Sequence, residues 1–154
     1  MDSYERSVTL LRFCRGHKKL SVSMFRERGI SSGQPPILDY LSRNSGCIQN
    51  DLSRYCHLEP ATITSILTTM ERDGLIERRA SPTDRRVWLI YLTDAGRALY
   101  DSMQDASARV ADICFDGFTE SESEQILVYL KRITANIRRV NGGCCRDESQ
   151  AEQK

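Results

Sequence analysis

The sequence predicts a mainly α-helical chain carrying one small β hairpin. Three observations lead there. Apolar residues recur at helical spacing along most of the chain, the stretch Val87 to Thr93 alternates in the manner of a strand, and Gly and Pro mark the joints between segments. The 154 residues fit one domain, and a chain of this length buries roughly 70% of its unfolded surface without disulfide staples. The longest apolar run, Val87 to Leu92, is far short of the ~20 residues that cross a membrane. The start, Met1-Asp2-Ser3-Tyr4-Glu5, is acidic and lacks the apolar core of a signal peptide, so a cytoplasmic protein is expected. The net charge of +1 conceals a gradient. Residues 1–28 carry seven basic and three acidic groups, residues 72–86 five against three, and residues 94–154 eight against eleven.

Taken in order, residues 2–28 read as a long helix. Asp2 and Glu5 have capping-box spacing, and Val8, Leu11, Cys14, Leu20, Met24 and Phe25 supply apolar positions, with a bend or wet stretch near Gly16. Pro35 and Pro36 suit the first turn of a second helix, which carries Ile37, Leu38, Tyr40 and Leu41 and stops at Asn44-Ser45-Gly46. A short helix covers about 49–57. After the turn His57-Leu58-Glu59, Pro60 opens a helix over 60–73 with Ile63, Ile66, Leu67 and Met70 on one face. Its other face is Thr62, Thr64, Ser65, Thr68 and Thr69, and Gly74 ends it. Strands at 75–80 and 87–93 flank the turn Ser81-Pro82-Thr83-Asp84-Arg85. Thr93 caps a fifth helix, whose apolar residues Leu99, Met103, Ala106, Val110 and Ile113 step by 4, 3, 4, 3. Thr119 and Glu122 form a capping box ahead of a sixth, with Ile126, Leu130, Ile133, Ile137 and Val140 in the same rhythm. A 3.5-residue period is the seam of a helix packed lengthwise on another helix, and a striped helix at each end of the chain points to a homodimer. Residues 144–154 are polar and expected to be disordered.

A short helix, a turn, a second helix and a two-stranded hairpin make a winged helix-turn-helix. The 60–73 helix buries its aliphatic face and leaves small hydroxyls outward, which can approach phosphates and base edges without steric conflict. Threonine is a weak helix former, so four of them on one exposed face call for a reason other than helix stability, although a plain solvent face remains the alternative. The arginines flanking the hairpin turn favour the nucleic-acid reading, because a loop tip carrying arginine can enter the minor groove while the helix occupies the adjacent major groove.

Residues 48–97 resemble the multiple-antibiotic-resistance (MarR) family of bacterial transcription regulators. The resemblance rests on Ala61-Thr62-Ile63-Thr64, then Met70-Glu71-Arg72-Asp73-Gly74-Leu75-Ile76, Arg78-Arg79, Asp84-Arg85-Arg86 and Leu92-Thr93-Asp94-Ala95-Gly96, in order and without a gap. It implies a single domain over 1–143, with a winged-helix lobe at about 35–93 and dimerisation helices at 1–30 and 94–141. It implies a homodimer in which the first, fifth and sixth helices interlock, and a double-stranded DNA operator as partner. Thr62, Thr64, Ser65 and Thr68 would lie nearest the bases. Arg86 would reach the minor groove while Asp84 holds the wing tip by an ion pair, and Arg54, Arg72, Arg78 and Arg79 would contact phosphates. An ordinary polar turn is the alternative for Asp84 and Arg86. Three positions depart from the family pattern: Ile48 stands where a capping Thr is common, Glu59 precedes the recognition helix in place of Ser or Asp, and Ser65 stands where many relatives carry a larger residue.

The leading expectation is a repressor of a pseudo-palindromic operator, released by a small phenolic or amphipathic effector, with His17, Met24, Pro36, Tyr40 and Met103 as lining residues. Ordinary packing is the alternative for each. A thiol switch is the second option. It would use Cys14, whose neighbours Arg12, Arg15 and Lys18 could activate it if exposed, but its place in an apolar stripe favours an inert packed thiol. Cys144-Cys145 reads as a feature of the loose tail. Two histidines and no Cys-x-x-Cys argue against a zinc site. No P-loop, Gly-x-Ser-x-Gly or His-Glu-x-x-His occurs, so neither an enzyme nor a cofactor is expected. A winged-helix protein-interaction module without DNA binding is the alternative from another class.

Overall fold

The computed structural model describes residues 2–140. It divides into two compact units, Met1–Cys114 and Phe115–Lys154. The first contains α1 (Ser3–Arg26), α2 (Gln34–Arg43), α3 (Gln49–Cys56), α4 (Pro60–Arg72), β1 (Ile76–Ala80), β2 (Trp88–Leu92) and α5 (Asp94–Cys114). The second contains α6 (Glu120–Val140). The tail 144–154, with Cys144 and Cys145, lies outside the described residues. Among those described, no helix is long and apolar enough to cross a membrane.

The core sits where α2, α3, α4 and the hairpin meet. Ile37, Leu38, Leu41, Leu52, Ile63, Leu67, Met70 and Ile90 are fully buried there. The aliphatic face expected for α4 is the one that packs, although Ile66 is only half-buried. β1 and β2 pair antiparallel with Ile76 opposite Leu92 and Ala80 opposite Trp88. The sheet gains a contact the sequence pattern did not reveal. Cys47 bridges to Ile90, with Gly46 N–H donating to the Ile90 carbonyl at 3.0 Å and Ile90 N–H to the Cys47 carbonyl at 2.9 Å. This pins the α2–α3 link to the hairpin.

Several expectations need correction. Asp2 occupies the N-cap of α1, but its side chain makes no capping hydrogen bond. The helix is continuous through Gly16, and Arg15 to Lys19 are all exposed, the wet stretch that was one of the two expectations there. Thr69 is half-buried and so leaves the outer face of α4. Cys14, expected to be packed, is exposed in the single chain.

The junction between the lobe and α5 is tight. Asp73 caps α4 and Gly74 follows at φ 71°, with Leu75 N–H bonded to the Met70 carbonyl at 2.9 Å and Gly74 N–H to that of Glu71 at 3.0 Å. This is the Schellman closure that glycine allows without strain. Thr93 Oγ1 donates to the Gly74 carbonyl at 2.6 Å and accepts from Gly96 N–H at 3.1 Å, so the expected cap of α5 also ties down the end of α4.

The long helices are under-buried in one chain. The 24 residues of α1 include none that is buried, and Leu10, Leu11 and Phe13 are exposed. α1 runs against α5, whose Met103, Ala106 and Val110 are buried while Ile113 is exposed. In the second unit the capping box forms as the spacing predicts. Thr119 N–H donates to Glu122 Oε2 at 2.8 Å, and Glu122 N–H donates to Thr119 Oγ1 at 3.3 Å. Those bonds lower the Glu122 pKa. α6 has no buried residue among its 21. Ile126, Leu130 and Ile133 are half-buried, and Ile137 and Val140 are exposed.

Candidate nucleic-acid interface

α3 and α4 are joined by a three-residue turn in which His57 adopts the left-handed conformation, at φ 51°. Pro60 then opens α4. Neither Ile48 nor Glu59 caps its helix with a side chain, as their residue types predict. Burial of Ile63, Leu67 and Met70 turns Thr62, Thr64, Ser65 and Thr68 outward, and all four are exposed. Their chemistry is not equivalent. Thr64 donates its hydroxyl to the Pro60 carbonyl at 2.8 Å, and Thr68 donates to that of Thr64 at 2.8 Å. The hydroxyls of Thr62 and Ser65 have no hydrogen-bond partner among the described residues, so they remain donors for a ligand.

One contributor was not anticipated. Gln49, the first residue of α3, donates from Nε2 to Thr64 Oγ1 at 2.7 Å and, more weakly, to the Pro60 carbonyl at 3.4 Å. No periodicity or motif marks it, because the contact joins residues 15 apart across the helix-turn-helix.

The hairpin projects a loop over residues 81–87. Ser81 N–H donates to the Val87 carbonyl at 2.8 Å, and Val87 N–H to that of Asp84 at 2.9 Å. Asp84 holds the tip differently from the expectation. Its Oδ1 accepts the backbone N–H of Arg86 at 2.9 Å, and it forms no ion pair among the described residues. A carboxylate used this way shapes the turn and leaves the Arg86 guanidinium free. Arg85 and Arg86 are exposed and likewise make no ion pair among the described residues. Trp88 follows on β2. It shares the side of Ile90 and Leu92 by alternation, yet is 55% exposed.

The arginines expected at phosphates fall into two groups. Arg54 on α3 is exposed. Arg72 pairs with Asp73 at 3.0 Å and Arg78 with Glu71 at 3.3 Å. Arg79 pairs with Glu77 and lies 4.6 Å from the Tyr91 ring centre. Such partly exposed pairs stabilise a fold by about 0–1 kcal/mol at most, so exchange of a carboxylate for a phosphate costs little.

The five residues expected around an effector differ in their surroundings. His17 is exposed, with its ring 5.9 Å from that of Phe13. Met24 and Pro36 are half-buried. The Tyr40 ring lies 4.8 Å from that of Tyr55, tilted by 47°, and burial raises its pKa. Met103 belongs to the core. Two open clefts run along the C-terminal half of α1 and into the following loop, one bounded by Arg15, Lys18, Lys19 and Arg26, the other by Arg26, Gly29 and Ser32. None of the five lines either. Burial pushes the Cys47 thiol up to about 12, helped by nearby Asp51, and the Cys56 thiol up to about 11. Among the described residues no three His, Cys, Asp or Glu side chains cluster in a way that would hold a metal ion.

Comparison with known proteins agrees with this architecture. Residues 28–87 match the family model described as the MarR family. YdgJ of Bacillus subtilis, an uncharacterized HTH-type transcriptional regulator, is 27% identical over 124 residues, covering 80% of this chain and 76% of its own. The crystal structure of a MarR transcriptional regulator from Methanosarcina mazei superposes with a TM-score of 0.77 at 23% identity, over 90% of this chain and 99% of that one. The transcriptional repressor CouR, bound to a 23-mer DNA duplex, superposes with a TM-score of 0.73 at 24% identity, over 82% and 89%. The match over residues 28–87 and the shared winged helix-turn-helix fold make this chain similar to MarR-family transcription regulators.

Proposed function

We propose that the protein is a homodimeric repressor that binds a pseudo-palindromic DNA operator and leaves it when a small phenolic or amphipathic effector binds. One observation carries the DNA part. The lobe that buries Ile63, Leu67 and Met70 presents the exposed hydroxyl face of α4 beside a wing whose Arg85 and Arg86 have no acidic partner among the described residues. α4 enters the major groove, where Thr62 and Ser65 donate to base edges or phosphates, and Arg86 enters the minor groove. Arg54, Arg72, Arg78 and Arg79 bind phosphates and set the register. The structure of CouR bound to a 23-mer DNA duplex, which has the same fold, supports double-stranded DNA as the partner.

Two long helices without a buried residue support dimerisation, since exposed apolar surface on α1 (Leu10, Leu11, Phe13) and on α6 (Leu127, Ile137, Val140) calls for a covering partner. Two-fold symmetry then places half-sites roughly one turn, ~34–36 Å, apart. An effector site that includes His17, Met24, Pro36, Tyr40 and Met103 is completed only by the second copy. Mobility-shift titration against the region upstream of its own gene tests the proposal. A retarded species that weakens steeply with salt is expected, and absence of any shift at low salt contradicts it.

A further inference from the structure

Thr64 is held in a closed set of hydrogen bonds that spans the helix-turn-helix. Its Oγ1 donates to the Pro60 carbonyl and accepts from Gln49 Nε2, and the same amide reaches the Pro60 carbonyl. A hydroxyl has one proton and two lone pairs. Here the proton and one lone pair are committed within the protein. Thr64 is nevertheless exposed on the face turned toward the groove. What it offers outward is therefore its methyl group, in contrast to the uncommitted hydroxyls of Thr62 and Ser65. In the major groove the apolar feature that distinguishes one base pair from the others is the thymine C5-methyl.

We propose that Gln49 is a positioning residue for sequence readout: it fixes the Thr64 hydroxyl inward so that α4 presents a methyl group selecting a thymine methyl in each half-site. This rests on the DNA-binding reading above. Gln49 touches no base in this scheme. It acts from α3 through Thr64, by supplying the donor that keeps the threonine from rotating its hydroxyl outward. Without that donor only the Pro60 carbonyl holds the hydroxyl, so Thr64 turns it toward the groove more often and preference for thymine relaxes.

The test selects duplexes from a randomised library with the full chain, then replaces single thymines in the selected half-site by deoxyuridine, which removes only the methyl group. One thymine is expected whose replacement weakens wild-type binding about fourfold, the loss associated with one buried methyl. Thr64→Val, which keeps the methyl, retains that sensitivity, and Thr64→Ser loses it. Gln49→Ala and Gln49→Met, neither of which can donate the bond or adds a charge, reduce sensitivity at that same position only, with unchanged affinity for non-specific duplex and an unchanged folded circular-dichroism spectrum. Either Gln49 variant suffices should the other fail to fold. If selection enriches a sequence but deoxyuridine is tolerated everywhere, or the Gln49 variants keep full sensitivity, the inference is overturned while the regulator reading stands. If selection enriches nothing, both fall.

Discussion

The backbone carbonyl oxygen of Leu75 lies 2.0 Å from the point a Cβ on Gly96 would occupy. The first turn of α5 therefore rests directly on the chain leaving α4, with no room for a side chain between them. Gly96→Ala forces backbone apart and should destabilise the fold by about 1–3 kcal/mol, the usual range for overpacking. Gly16, mid-helix with nothing within 4 Å, is the control. There the same change should stabilise by about 0.5–1 kcal/mol, since alanine is the better helix residue. Urea unfolding of the two variants should give opposite signs; equal shifts would contradict the close approach.

The wing separates two roles for Asp84. As the acceptor of the Arg86 N–H, it can be replaced by Asn, whose carbonyl oxygen accepts the same bond. As an ion-pair partner it cannot. Asp84→Asn is expected to keep operator affinity within about twofold, while Asp84→Ala weakens it roughly fivefold to tenfold, about 1–1.4 kcal/mol. Fluorescence anisotropy on a labelled operator duplex reads both. Equal loss in the two variants would restore the ion pair.

The exposed end of the α6 stripe bears on assembly. Ile137 is 56% exposed in one chain, so Ile137→Asp should scarcely alter the folded protomer. Buried at a two-fold seam, the new carboxylate would meet its own copy and lose its hydration. Sedimentation velocity should show the wild type as a dimer and the variant shifted toward monomer at micromolar concentration. Identical sedimentation would remove Ile137 from the interface.

Thiol reactivity should follow burial. With the Cys47 and Cys56 thiols raised to about 12 and about 11, the reactive thiolate is scarce at neutral pH and grows only as pH climbs toward those values. Iodoacetamide at pH 8, followed by peptide mapping, should leave both unmodified in the native protein while urea-unfolded protein is alkylated at each. Rapid native labelling of Cys47 would show the α2–α3 link opening from the hairpin.

Much of this molecule was legible in its sequence because its signals are local. The aliphatic positions Ile63, Leu67 and Met70 repeat with the helix and fixed which face of α4 packs. Gly74 and Thr119 ended and began helices where their chemistry demands. The features that escaped are those in which distant residues meet. Nothing in the spacing of Gln49 and Thr64 announces a hydrogen bond, and Cys47 alone does not reveal a bridge to Ile90. Cys14 sits in an apolar stripe, which resembles a core position, yet a stripe shows only that a surface seeks cover and not that the same chain supplies it. Asp84 bonds within the wing turn, but whether a carboxylate meets a guanidinium or a backbone N–H depends on the turn it helps to make.

Hydroxyl-radical footprinting of the selected operator tests most directly whether the α4 face and the wing engage one duplex together, because the radical attacks sugars along the minor groove. Wild-type protein should protect two half-sites about one helical turn apart, with outer protections that vanish in Arg86→Ala while the remaining pattern persists at higher protein concentration. A wild-type footprint without the outer protections, or one that Arg86→Ala leaves intact, would contradict insertion of the wing.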